Sequence, residues 1–419
     1  MLKNIKSFTR LTFYEQLLLL FPIVLILRST VINIFFILIF FIFIYELFKK
    51  NYLSILKYET WVYFFLLFIF YSICRGFFAT DKMLAITSAI SLVKFLTFSL
   101  FIFLCIFNIK NLNFIIKFWT AILVILCIDT LIQFFFGRDI IGFEKSNLRL
   151  TGPFGSRQVI GAYLSYISIP LLFYYFSKIK NFNLNKNYLL FSFYFLLFIT
   201  ISLTGERLAL ITFLSSSIVI FFIFFRIKIF FCLLILIFSI LFSIYYFSPS
   251  FNVRTTHFFL TIKDFPNSAW GRLYQSGYLV FKSDFFFGVG LKNYRIICDT
   301  QIVDPLKNSQ YNVSQFCSTH PHHLYLEILS ESGIIGFLLL FSTFVTFFSS
   351  IFNKIKKLKN NKMYQEYKGL LYGNILILFI YFWPIKTSGR FFTTWNGSFF
   401  WFNLGIALLI TKDFYYKNK

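Results

Sequence analysis

The chain alternates long apolar runs with short polar breaks through most of its length. Twelve runs approach the roughly 20 residues that a bilayer-crossing helix needs: 12–27, 31–48, 60–78, 83–107, 114–136, 158–177, 188–204, 207–225, 230–247, 333–352, 370–385 and 397–411. The runs at 12–27, 188–204, 370–385 and 397–411 are the short ones. Only between 248 and 331 does the pattern lapse for long, with polar and apolar positions mixed. This predicts an all-α polytopic integral membrane protein of about 12 transmembrane helices. Residues 1–247 form helices 1–9, 248–331 one long outer loop with short helices, and 332–419 helices 10–12.

Composition supports a membrane chain. Hydrophobic residues make up 58% and charged residues 13%, whereas soluble domains carry about a quarter charged residues. The 67 phenylalanines accompany abundant Ile, Lys and Asn, a bias that an AT-rich genome produces, so they are not read as a ligand site. The net charge of +24 is spread over membrane flanks, which signals orientation and no nucleic-acid partner. Lys354, Lys356, Lys357, Lys359, Lys362 and Lys368 crowd one short loop. That places this loop and both termini in the cytoplasm and the long loop outside. The start MLKNIKSFTR is basic and leads into an apolar run with no small-residue cleavage pattern, so it reads as the approach to a first span.

Two charges, Lys94 and Asp129, fall inside apolar runs. A mutual structural pair is the preferred reading and an ion or proton pathway the rival. No internal repeat stands out, which counts against a transporter. Cys74, Cys105, Cys127 and Cys232 lie in apolar runs and read as small hydrophobes. Cys298 and Cys317 lie in the long loop. They either pair, closing a loop of about 20 residues if that loop faces an oxidising compartment, or stay free thiols.

Ser318–Glu327, STHPHHLYLE, holds three of the four histidines. A chain this poor in His that gathers three in one polar segment is building a site for proton transfer; the bland alternative is a polar loop-to-helix junction. Pro321 suits the first position of a helix. His322 and His323 then occupy the first turn, where free N–H groups and the dipole favour neutral imidazole and attract phosphate. A neutral imidazole is what a general base requires. His323, Glu327 and Glu331 share one face, which is otherwise merely solvated. Arg157, Arg207 and Arg390 stand at the outer ends of runs, where an arginine opposes the helix dipole unless an anion is bound. Snorkelling to headgroups is the alternative. Arg272 lies in an amphipathic stretch of the loop. No set of metal ligands with zinc spacing and no nucleotide-binding glycine loop is present, so neither metal nor cofactor is expected. Arginines with a neutral histidine suit displacement of a diphosphate by an activated hydroxyl.

Three stretches resemble the O-antigen ligase and O-antigen polymerase superfamily of bacterial lipid-linked glycan transferases. HPHHLYLEILSESGIIG (320–336) is similar to its outer-loop His-Pro-His-Asn signature, WGRLYQSGYLVFKSDFFFGVGLKNY (270–294) to its Gly-Arg, Asp and Gly-Val-Gly, and LTGERLALITF (203–213) to its Ser/Thr-Gly-x-Arg. RLTGPFGSRQVIGAYL (149–164) is a less specific fourth. The resemblance implies metal-independent transfer of a glycan from undecaprenyl diphosphate at the periplasmic face of the inner membrane, and the lack of a two-carboxylate constellation of the retaining kind favours direct inversion. The acceptor it implies is lipid A–core for a ligase, or another carrier-linked glycan for a polymerase. His322 falls on the family's essential histidine, with His320 assisting. Arg207 and Arg272 fall on its diphosphate-binding arginines, with Arg157 and Arg390 as helpers. His323 departs from the usual Asn, and Phe286 from a frequent Pro. Membrane lipids are the other expected partner. A protein-directed oligosaccharide transferase fits the same motifs, and a lipid-linked glycan flippase fits only the span count.

Overall fold

The computed structural model describes residues 11–50, 52–106, 111–146, 148–179, 184–303, 316–384, 386–387 and 389–412. The basic start at 1–10, the C-terminal 413–419 and positions 304–315 of the long loop lie outside the described residues. Among those described, regular structure is helical, and extended pairing is confined to isolated bridges. The longer helices are α1 (Phe13–Ile26), α2 (Ser29–Lys49), α3 (Thr60–Gly76), α4 (Lys82–Ile90), α5 (Val93–Cys105), α6 (Leu112–Phe136), α7 (Ile160–Phe176) and α8 (Leu184–Leu203). They continue with α9 (Arg207–Phe224), α10 (Ile227–Phe247), α11 (Pro249–Lys263), α12 (Ala269–Ser283), α13 (Leu324–Leu358), α14 (Lys362–Tyr381) and α15 (Thr394–Ile410).

A helix occupies every apolar run of the sequence, the run at 83–107 being shared by α4 and α5. Seven described helices are long and apolar enough to cross a membrane, and α1, α3 and α7 are apolar but shorter. By length and composition the described residues thus hold seven candidate spans, with α4 and α5 counted as one, and the twelve read from the sequence stay an expectation. The spanning helices are apolar nearly all round, as hydrocarbon surroundings require. On α10 only Leu233 and Ile237 are buried, while Phe238 and Phe242 are exposed.

The chain forms two compact units. The first comprises residues 1–32, 106–260 and 360–380. Within it α7 packs against α8 and α9, and α6 against α1 and α8. Buried aromatic tips are satisfied around Pro22 of α1: the Tyr163 hydroxyl donates to the Pro22 carbonyl at 2.8 Å and the Trp119 indole to the Leu19 carbonyl at 3.1 Å.

The second unit comprises residues 33–105, 261–359 and 381–419. Here α13 packs on α3, α15 on α5, and α12 on α13. The Phe65 and Trp401 rings meet at 4.5 Å in its core. Lys354 of α13 is buried in an ion pair with Glu59, which also accepts from the Trp61 indole.

Two local expectations are settled by this packing. Lys94 and Asp129 bond other partners, each inside its own unit, and the Asp129 Oδ2 is buried without a hydrogen-bond partner. The Lys94 ammonium donates to Asn33 at 3.1 Å and Thr394 at 2.8 Å, and Asp129 accepts from the Ile140 amide at 2.8 Å. Cys298 and Cys317, left open as thiols or disulfide, are bonded, with Cα atoms 5.8 Å apart.

Candidate functional site

In the second unit the site is built on a break in α13. Gly333 has φ 62° and ψ −172° inside an otherwise continuous helix, a conformation open essentially to glycine alone. The break frees backbone groups that the segment Asp284–Gly290 takes up. The Val289 and Gly290 amides donate to the carbonyls of Ser330 and Glu331 at 2.9 and 2.8 Å, and the Ile334 amide to that of Phe285 at 3.0 Å. A Cβ on either Gly288 or Gly333 would overlap the other strand's backbone. From α3, the Tyr71 hydroxyl reaches the Phe287 and Ser332 carbonyls, both at 2.9 Å, while Arg75 donates to the Gly288 carbonyl and pairs with Asp284 at 2.7 Å. The Asp and Gly-Val-Gly read from the sequence are thus architecture: Asp284 ties the loop to α3, and the glycine segment ties it to α13, the helix that follows the histidines.

Ahead of that helix the expected start is corrected. Pro321 does not open it; α13 begins at Leu324 with His323 as N-cap, its Nδ1 accepting from the Leu326 amide at 3.3 Å. The reason is His322, whose φ of 55° lies in the left-handed region and cannot be part of a helical turn. His322 and Lys292 are the non-glycine residues with positive φ among those described. Such strain costs about 1–3 kcal/mol and gathers at functional sites. His322 lies between two rings, with His320 at 3.9 Å and Trp270 at 5.0 Å between centroids. His323 faces Tyr274 at 4.6 Å, and its Nε2 bonds the Pro384 carbonyl at 2.7 Å. Burial lowers the His323 pKa, against that carbonyl bond, so its tautomer carries the proton on Nε2.

Helix α12 supplies the platform. Trp270, Tyr274 and Gly277 recur at helical spacing and meet the histidine segment; a Cβ on Gly277 would come within 2.7 Å of Pro321. Burial pushes the Tyr274 hydroxyl up to about 12. Arg272 is half-buried on the same helix. It lies about 200° round from Trp270, on the other flank. Beneath α12 a small core of Val280, Val289, Tyr294, Ile297 and Cys298 is tied by the disulfide and by a 2.7 Å Ser276–Tyr294 hydroxyl bond.

Arg390 is buried and committed to carboxylates. Its Nη2 donates to both Glu331 oxygens at 2.6 and 2.8 Å, and its Nε lies 3.4 Å from Glu327. Glu327 also accepts from the Phe391 amide at 3.1 Å. The face of α13 expected to be solvated or catalytic is thus an ion-paired anchor. Lys292 stands near it, its pKa lowered by burial and by Arg390.

In the first unit, Arg157 donates to the Ile26 and Leu27 carbonyls at 2.7 and 3.0 Å. It therefore caps the C-terminal end of α1, and burial lowers its pKa. Arg207 opens α9 directly after Glu206, whose two oxygens accept from the Gly161 and Ala162 amides at 2.7 and 3.1 Å at the start of α7. The Arg207 guanidinium lies over the Phe258 ring at 5.7 Å, and its buried Nε has no hydrogen-bond partner. Two arginines not singled out by the sequence stand beside it. Gly205, at φ 73°, admits the Arg254 stem to within 3.1 Å of where a Cβ would be. The Leu150 amide donates to the Thr204 carbonyl at 3.3 Å, bringing Arg149 to the same turn. Burial, Arg149 and Arg207 together depress the Arg254 guanidinium to about 10, and burial raises the Glu206 carboxyl to about 7.

A family model described as O-antigen ligase matches residues 192–341. The chain is O-antigen-ligase-like over that segment. The match agrees with the resemblance read from the motifs, to a family of membrane glycan transferases of the ligase or polymerase kind. The match takes in Arg207, Arg254, Arg272, His320 and His322; Arg149, Arg157 and Arg390 lie outside it. No curated protein matches the chain.

The structure therefore gathers the predicted site residues in two places. His320, His322, Arg272 and Arg390 lie in the second unit, and Arg157 and Arg207 in the first. His320 and His322 are in contact, whereas Arg157 and Arg390 are spent on protein groups. Missed by sequence were Arg254 and Arg149. The spacing of Arg254 and Phe258, i and i+4 on one helix, is the signal that was there to find.

Proposed function

We propose that this protein is an O-antigen ligase-type glycosyltransferase. It moves a glycan from undecaprenyl diphosphate to a hydroxyl of lipid A–core or a similar acceptor at the periplasmic face of the inner membrane, without a metal ion. His322 carries the reading: an imidazole held at positive φ between His320 and Trp270, inside the matched segment. Strain of that kind persists only where surrounding structure imposes it.

In the reaction, the acceptor oxygen attacks the anomeric carbon and the bond to the diphosphate oxygen breaks, with inversion. The acceptor proton passes to His322, with His320 beside it to share the charge. Arg207 and Arg272 bind the diphosphate and stabilise it as it leaves. We assign Arg157 and Arg390 positioning roles, since both guanidiniums are engaged by protein oxygens. The Cys298–Cys317 disulfide favours an oxidising compartment for the long loop and so, with the lysine-rich loop at 354–368, cytoplasmic termini.

The test is reconstitution in liposomes with a polyprenyl-diphosphate glycan and lipid A–core, with and without chelator. Transfer that survives chelator and is lost in His322→Ala and Arg272→Ala supports the reading. Normal transfer by His322→Ala, or dependence on added metal, removes it. Elongation of the carrier-linked glycan in place of transfer to lipid A–core assigns a polymerase.

A further inference from the structure

The first unit holds more positive charge at one turn than its protein partners neutralise. Arg207, Arg254 and Arg149 meet around Thr204–Glu206. Glu206, an acid within electrostatic reach of Arg149 and Arg254, already accepts two backbone amides. The Nε atoms of Arg207 and Arg254 are both buried without a hydrogen-bond partner, and a buried unpaired donor costs free energy unless a ligand completes it. Three guanidiniums within mutual electrostatic reach repel one another, Glu206 offsets part of that repulsion, and a bound anion would relieve the rest. The arrangement is built: Gly205 gives up its side chain for the Arg254 stem, and Phe258, one turn along α11 from Arg254, supports Arg207.

The anion's character follows from the helix that delivers Arg254. On α11, Val253, Phe259 and Leu260 are each more than half exposed, on faces other than that of Arg254. This surface suits an anion joined to a hydrocarbon chain better than a soluble polyanion. We propose that Arg254 and Arg149 join Arg207 in a three-guanidinium clamp for the diphosphate of a polyprenyl-linked donor. This rests on the donor class proposed above and adds to it two binding residues and the interfacial helix that delivers one of them. Glu206 is a positioning residue in this scheme, fixing the start of α9 to the start of α7.

The experiment uses the full chain in phosphatidylcholine nanodiscs, titrated with farnesyl diphosphate, farnesyl monophosphate and inorganic pyrophosphate. Wild type is compared with Arg254→Ala, Arg254→Lys, Arg149→Ala and Arg207→Ala, with thermal unfolding run on each. Arg254→Ala and Arg149→Ala should each weaken farnesyl diphosphate binding on the order of tenfold. Arg254→Lys should recover part of the loss, because lysine keeps the charge but not the fork. Wild type should prefer farnesyl diphosphate to both other ligands. Full-strength binding by Arg254→Ala and Arg149→Ala alongside loss in Arg207→Ala overturns the clamp and leaves the donor reading intact. Failure of wild type to bind farnesyl diphosphate removes the donor reading itself. Loss of binding in phosphatidylglycerol nanodiscs identifies a lipid headgroup as the ligand and also overturns the clamp. If Arg254→Ala unfolds, Arg254→Lys decides: binding equal to wild type argues for charge alone and against a bidentate clamp.

Discussion

Gly288 and Gly333 occupy each other's missing side-chain space. A Cβ on either would overlap the backbone of the other segment, and the amide of Gly290 and the carbonyl of Glu331 close the crossing at 2.8 Å. Through this contact the loop segment that carries α12 is fixed to the helix that begins just after the histidines. Gly333→Ala should therefore cost both the forbidden conformation, about 1–3 kcal/mol, and a steric overlap. Gly142→Ala provides the comparison, since Gly142 has φ 103° with open space around it and pays for conformation alone. Thermal unfolding in detergent should show a clearly larger drop for Gly333→Ala; equal drops would mean that the crossing is not tight.

Arg390 holds Glu327 and Glu331 together in a buried cluster. Removing one partner of such a cluster strands a charge and costs roughly 3–5 kcal/mol. Arg390→Ala should unfold at markedly lower temperature, and Arg390→Ala/Glu331→Gln should recover part of the loss. Additive destabilisation in the double variant would show that the pair is not coupled.

His322→Gly removes the imidazole and relieves the backbone strain at once, because glycine adopts φ 55° without cost. Stability should be equal to or above wild type while glycan transfer is lost. His322→Ala should lose transfer too, but with lower stability than His322→Gly. A His322→Gly enzyme that transfers normally would leave the strained histidine without a catalytic part.

The disulfide closes the small core under α12. Cys298→Ser should cost about 2–4 kcal/mol in that segment, read as faster limited proteolysis near α12 with the membrane helices intact. In Cys298→Ser, a membrane-impermeant maleimide added to spheroplasts should label Cys317. Labelling only after the membrane is opened would place the loop on the cytoplasmic side.

The Glu206 carboxyl, raised from its ordinary value to about 7, holds its proton more tightly in the folded protein than in the unfolded chain. Between the unfolded value near 4.5 and about 7 the folded state binds more protons, so stability falls as pH rises through that window. The melting temperature of wild type should decline from pH 5 to pH 8 more steeply than that of Glu206→Gln. Parallel profiles would put the pH dependence elsewhere.

Much of this was legible in the chain itself. Long apolar stretches in a bilayer must form helices because hydrocarbon offers no partner for a free amide, and so every run became one. The STHPHHLYLE segment and Arg207 stood out because rare or charged residues in an apolar chain have few reasons to be there. What sequence could not supply was partner choice. Lys94 turned to Asn33 and Thr394, Arg157 to the end of α1, and Arg390 to two glutamates, since each charge is satisfied by whichever polar group packing brings near. The same holds for the helix start at Leu324, displaced from Pro321 by the φ of His322, and for Arg254 and Arg149, distant in sequence and joined at one glycine turn. Helices were written locally, by periodic contact with the solvent around them; the site was decided by side chains whose neighbours are set only when helices pack.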